Sequence, residues 1–214
     1  MAALGADDHR MTPAAQPLID ELDAVLSRVP AAWRGMTLRR LTDLFLVDAA
    51  AYTEDQVAVF DDVIGHLIEK TDRRILIELS TRLAQVENAP IKVVGTLARH
   101  ADMQIAGPLL EKSTVLTDAD LAEIADKDRR DPALLGLIAA RPRLGEAITD
   151  VLIKRGNPAI QRKIIDNPAA RVSESSFARL VTSLEHQKDL AEAIAKREDL
   201  PAELRPWLDA ALAG

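Results

Sequence analysis

The chain has 214 residues and a formal charge of −7, with 48% hydrophobic and 3% aromatic residues and no cysteine. A chain of that length buries a full core in one or two domains, and that apolar share excludes wholesale disorder. The missing cysteines exclude disulfides, thiolate metal sites and cysteine nucleophiles, and the acidic balance speaks against a general nucleic-acid binder, whose footprint would be basic.

Scarce aromatics among abundant Leu, Ala and Ile favour helices packed on helices over β-sandwiches. Residues 1–15 read as a loose tail, and "MAALGADDHRM" carries two Asp residues where a secretory signal needs an apolar core. A soluble, cytoplasmic protein is therefore expected. Four helical patterns follow as an N-terminal helical domain over residues 16–86. "QPLIDELDAVLSRV" puts Leu18, Leu22, Val25 and Leu26 on one face, and "MTLRRLTDLFLVDAAA" runs apolar through Leu41, Leu44, Phe45 and Val47. "TEDQVAVFDDVIGHLIEK" opens with Thr53 and Gln56 at capping-box spacing, ahead of Val57, Phe60, Ile64 and Leu67. "DRRILIELSTRLAQV" continues with Ile75, Leu79 and Leu83. Leu44-Phe45-Leu46-Val47 is apolar all round, which fits a central helix or a homodimer interface equally.

From residue 87 to 214 the punctuation becomes regular. Leu116, Leu144, Val172 and Leu200 stand 28 residues apart, each followed eight residues on by another aliphatic: Ile124, Leu152, Leu180 and Leu208. A short helix precedes each, starting at residues 102, 131, 157 and 187. Asp131-Pro132 and Asn157-Pro158 then read as an N-cap followed by proline at the first helical position, and Pro142 and Pro168 as stops. Such pairs cannot bury their apolar stripes alone, so the expectation is an all-α protein ending in a short α-solenoid of HEAT-like or leucine-rich-variant-like helix pairs, with a period of about 28 residues.

The phrases "LTDLFLVDAAAYTEDQVAVFDDVIGHL" and "LSTRLAQVENAPIKVVGTLARHADMQIAGPLLEKSTVLTDADLAEIA" resemble the bacterial domain-of-unknown-function family 2336, and the likeness runs over residues 36–200. It implies an alphaproteobacterial, cytoplasmic, HEAT-like repeat protein and brings no catalytic residues onto this chain.

No phosphate-binding glycine loop, HExxH or GxSxG occurs, so no cofactor or catalytic residue is expected, and His9, His66, His100 and His186 lack ligand spacing. Asp55, Asp62, His66 and Glu69 share one helix face and could hold a metal in a hydrolase, but a solvated face with an ordinary Asp62–His66 pair is the simpler reading. "RLGE" at Arg143–Glu146 is weaker still. Charge is uneven: residues 1–130 balance at −7, 131–172 at +3 and 173–214 at −3. The island comprises Arg141, Arg143, Lys154, Arg155, Arg162, Lys163 and Arg171, either as solubilising surface or as a partner-binding patch. Lys154 and Arg155 also suit the dipole of a helix end. Phe177 is placed on a buried face, Trp207 as the plug of the last repeat, and Trp33, between two helices, as a plug of the domain junction rather than an exposed anchor. The functional expectation is a non-enzymatic adaptor or scaffold whose repeat surface binds a protein, an acidic segment along the island. The alternative is nucleic-acid binding there, disfavoured by the charge and the lack of stacking aromatics.

Overall fold

The computed structural model describes residues 31–69, 71–127, 132–184 and 187–213, with Pro17 and Glu21. Among these residues there are twelve α-helices, two 3-10 turns and no strand, with a parallel bridge between Leu144 and Ala170. The chain is all-α. The first expected helix and the loose tail lie outside the described residues, apart from Pro17 and Glu21. Two compact units are present: Met1–Leu109 with Ser113–Val115, and Leu110–Lys112 with Leu116–Gly214. The sequence draws its boundary after residue 86, whereas the units part within the fifth helix.

In the first unit, α1 (Ala31–Val47) packs on α2 (Glu54–Ile68) and α3 (Arg73–Leu83), while α4 (Ile91–Ala98) packs on α2 and α3. Leu38 and Phe45 of α1 are fully buried. Gly35 of α1 lies against Ile75 of α3, where an added Cβ would stand 2.1 Å from Cδ1 and the isoleucine tip would have to shift. Two ion pairs at matching one-turn steps register the same helices: Arg39 with Glu78 at 2.6 Å and Arg82 with Asp43 at 2.5 Å. Arg39 holds the Glu78 carboxyl below the usual carboxylate range. These pairs are solvent-facing, so they set register more than they add stability. The turn from α1 to α2 is closed by Phe45, Tyr52 and Phe60, with ring centroids 5.2 to 5.8 Å apart, and the Tyr52 hydroxyl donates to the Leu44 carbonyl at 3.2 Å. The capping box at Thr53 and Gln56 is formed.

The start of α4 poses a problem that sequence does not advertise. Its N-cap is Pro90, which offers no side-chain acceptor to the first free N–H groups. The acceptor comes from α2 instead: both oxygens of buried Asp61 accept backbone N–H, from Lys92 at 2.8 Å and from Val93 at 2.8 Å. Beside it, Lys92 Nζ stands 2.8 Å from Oδ1 of Asp62, whose side chain is 1% exposed. An adjacent pair of aspartates thus joins α2 to α4.

The second unit contains the end of α5 (Met103–Lys112), followed by α6 (Asp118–Lys127), α7 (Pro132–Ile138), α8 (Glu146–Arg155), α9 (Pro158–Ile165), α10 (Glu174–Thr182), α11 (Lys188–Ala195) and α12 (Arg205–Ala213). Alternate helices touch: α6 on α8, α8 on α10 and α10 on α12 form one row, and α9 on α11 belongs to the other. The aliphatic anchors Leu116, Leu144, Val172 and Leu200 are all buried, as are Ile124, Leu152, Leu180 and Leu208. Asn157 caps α9, its side chain accepting the Ile160 N–H at 3.0 Å, with Pro158 in the first turn. Asp131 lies outside the described residues. A Cβ on Gly156 would approach the Leu152 carbonyl oxygen to 2.4 Å, so the α8–α9 link requires glycine. Asp150 binds α8 to the start of α10, accepting from the Ser173 and Ser176 hydroxyls at 2.6 Å each.

Burial pushes the Asp61 carboxyl up, by more than the two N–H bonds and Lys92 pull it down. For a raised carboxyl the charged form is the costly one in the fold. Its contribution to stability is full below the ordinary aspartate value of about 4 and declines as pH climbs through the raised value. Asp61→Asn removes this titration, so in urea melts the stability difference, wild type minus variant, should shrink with rising pH across that window. Asp61→Ala leaves both N–H groups without their acceptor and is expected to cost about 2 kcal/mol at neutral pH.

Candidate functional site: the groove between α9 and α11

The cations singled out in the sequence differ in exposure and in what they contact. Lys154 and Arg155 end α8, with Lys154 exposed and Arg155 half-buried. Arg143 and Arg171 are both exposed, on neighbouring loops that the Leu144–Ala170 bridge and the Arg171 N–H to Leu144 carbonyl bond hold side by side. Arg162 and Lys163 sit on α9 and reach opposite ways. Arg162 donates to the Asp189 carbonyl on α11 at 2.8 Å, while Lys163 donates to the Gly136 carbonyl on α7 at 3.3 Å.

Arg141 belongs to a different device. Its guanidinium donates to the Leu110 carbonyl, near the end of α5, at 3.0 Å. Burial holds that group below its ordinary value, with the charge of Asp118 opposing. One helix pair on, the Asn167 amide donates to the Arg141 carbonyl at 3.0 Å, and one further, Arg197 donates to the Asn167 carbonyl at 2.8 Å. Arg141 and Asn167 each give a side-chain donor to the helix pair before and a carbonyl to the helix pair after. Arg197 also reaches the Ala170 carbonyl at 2.7 Å, pairs with Asp199 at 2.7 Å and lies 5.9 Å over the Phe177 ring. The sequence reading missed this ladder, because Pro168 reads as a helix stop and neither Asn167 nor Arg197 stands out beside it. The signal available was a donor side chain just past each of these three helices, at residues 141, 167 and 197.

Along the ladder-braced helices α9 and α11 lie two concavities that share Arg162. One, of about 510 Å³, is lined by Arg162, Ile165, Asp166, Lys196 and Arg197 among others. The second, of about 600 Å³, is lined by Pro158, Ala159, Arg162, Lys188, Asp189 and Leu190, together with Gln187. Arg162 is pinned between them, since its Nε also donates to Asp166 at 2.7 Å. Lys188 and Lys196 are exposed at the two ends of α11, roughly 12 Å apart along the helix. Basic and acidic side chains are equally numerous in the two linings.

Three expectations need correction. Trp33 does not plug a junction: it lies within α1 and is 58% exposed, on the side away from the buried Leu38 and Phe45. Trp207 does not close the last repeat. It is 69% exposed, and its neighbour Leu208 fills the core instead. The Asp55–Glu69 stripe is not one solvated face, because Asp55 and Glu69 are exposed while Asp62 is buried against Lys92. Among the described residues no group of three or more His, Cys, Asp or Glu side chains is placed to hold a metal ion. Phe177 is fully buried, as expected.

The geometry defines an all-helical protein whose second unit is built from leapfrogging helix pairs. Over residues 105–212 the chain matches the family described as "Uncharacterised protein conserved in bacteria (DUF2336)", and it belongs to that family. The match begins inside α5 and ends in α12, so it covers the helices of the second unit and leaves out residues 36–104, on which the resemblance also drew. No curated protein and no solved structure matches the chain.

The ladder makes a direct stability prediction. Arg197→Lys keeps the charge but loses the planar fork that spans several carbonyls, and is expected to cost about 2 kcal/mol in urea melts. Asn167→Ala, which removes one rung and the local turn bond to the Ala169 N–H, should cost about 1 kcal/mol.

Proposed function

We propose that the chain is a non-enzymatic adaptor or scaffold, acting in the cytoplasm, whose stacked helix pairs form a short α-solenoid and whose α9–α11 groove takes an extended segment of a partner protein. The observation that carries this reading is the pair of concavities on either side of Arg162, set on helices cross-braced by side-chain bonds to neighbouring carbonyls. A surface braced in this way is ordered before binding, so a partner makes several modest contacts without an ordering cost on this side. The reading gains from Lys188 and Lys196, exposed cations able to meet carboxylates about four residues apart on an extended strand. Arg141, Arg162 and Lys163 are already engaged with backbone carbonyls, so the island is a weaker candidate for the contact surface than the groove. The even charge of the lining favours a peptide of both charges over a phosphate backbone, which would need a basic track. The missing cysteines support the cytoplasmic location.

The test is capture from host lysate followed by mass spectrometry, using wild type, Lys188→Glu with Lys196→Glu, and Lys154→Glu. Circular dichroism should match for all three. A protein held by wild type and Lys154→Glu but lost from the groove variant is the expected result. Equal capture by all three would reject the groove, and recovery of nuclease-sensitive nucleic acid would replace the protein partner.

A further inference from the structure

Six large hydrophobic side chains stand exposed among the described residues, and four of them, Trp33, Met36, Leu44 and Val47, lie on one face of α1. The exposed Arg40 completes the stripe, giving steps of 3, 4, 4 and 3 residues, the seam spacing of paired helices. The opposite face, with Gly35, Leu38, Thr42 and Phe45, is already buried in the first unit. The stripe runs about 21 Å along the helix. An apolar face of that extent on a well-packed helix marks a contact surface rather than scattered surface residues.

We propose that this face of α1 pairs with the same face of a second copy of the chain, as an antiparallel two-helix seam. A two-fold interface needs a patch that complements itself, with both charge signs disposed about the axis. The centre of α1 meets that condition: Arg40 is exposed, and the Asp43 side chain remains 61% exposed although it bonds Arg82. An axis between Leu41 and Thr42 sets Arg40 of each copy against Asp43 of the other, Met36 against Val47, and Trp33 against Ala50. A parallel seam would instead place Arg40 against Arg40, stacking like charges at its midpoint. One helix face on each side buries less than the roughly 800 Å² per partner of a standard interface, so the dimer dissociates on dilution.

Sedimentation equilibrium of the full chain over a wide concentration range is the test. Wild type is expected to approach twice the chain mass as concentration rises, and Met36→Glu with Val47→Glu to stay monomeric with an unchanged circular dichroism spectrum. Arg40→Glu alone and Asp43→Arg alone should each lose the dimer, because each sets like charges across the seam. Their mixture should recover it. The carboxylate introduced in one chain then faces the guanidinium introduced in the other, while the unaltered Asp43 of the first faces the unaltered Arg40 of the second. A wild type that stays monomeric throughout, a dimer that survives Met36→Glu with Val47→Glu, or a mixture that stays monomeric would overturn the proposal. Sedimentation of monomeric wild type with anionic vesicles, lost in the same double variant, would overturn it in favour of a lipid surface.

Discussion

The constraint that shapes this molecule is the number of free backbone groups that short helices leave at their ends. A helix of eight residues, such as α9 or α11, leaves four carbonyls at its C-terminus with no partner inside the helix. Stacking such helices brings those carbonyls toward the core, where an unmet acceptor is costly. The second unit answers at two of these ends with donors from other helices: Arg141 serves Leu110 in the last turn of α5, and Lys163 serves Gly136 in the last turn of α7. Further bonds tie the turns just past the helices, from Asn167 to the Arg141 carbonyl and from Arg197 to those of Asn167 and Ala170, and Arg162 reaches Asp189 at the start of α11. Aliphatic burial drives the helices together without direction, and these bonds give the stack a register.

The first unit meets the same constraint from the other end. At α4 the free groups are N–H donors, and Asp61 supplies both acceptors from a different helix. Three of its four aromatic rings meet at one turn, where Phe45, Tyr52 and Phe60 pack together and the tyrosine hydroxyl donates to a carbonyl of α1. In both units, polar side chains are occupied in joining one helix or turn to another, and Asp61, Asp62, Arg141 and Arg197 are the clearest cases.

The buried anchors of the second unit were legible because their spacing is regular and helix punctuation is local. Leu116, Leu144, Val172 and Leu200 mark the same buried position at one spacing, and the Asn157 cap with Pro158 acts within a single turn. What the cations of the basic island reach was not legible, because residue type along the chain does not say what a guanidinium contacts. Arg141, Arg162 and Arg143 stand within one short stretch, yet the first two bond carbonyls 27 to 31 residues away and the third is exposed. The tryptophans misled for a related reason. Average burial favours a plug, but Trp33 lies on the outer side of a helix whose inner side is filled by Leu38 and Phe45.

The sequence by itself determined the all-α class, the buried aliphatic positions 28 residues apart and caps such as Asn157, because each follows from residue types and their spacing along one chain. Only the tertiary structure decided the Asp61 cap, the carbonyl ladder, the outward stripe of α1 and the concavities beside Arg162. Each of these depends on a distance between groups remote in sequence, and that distance exists only once the helices have packed.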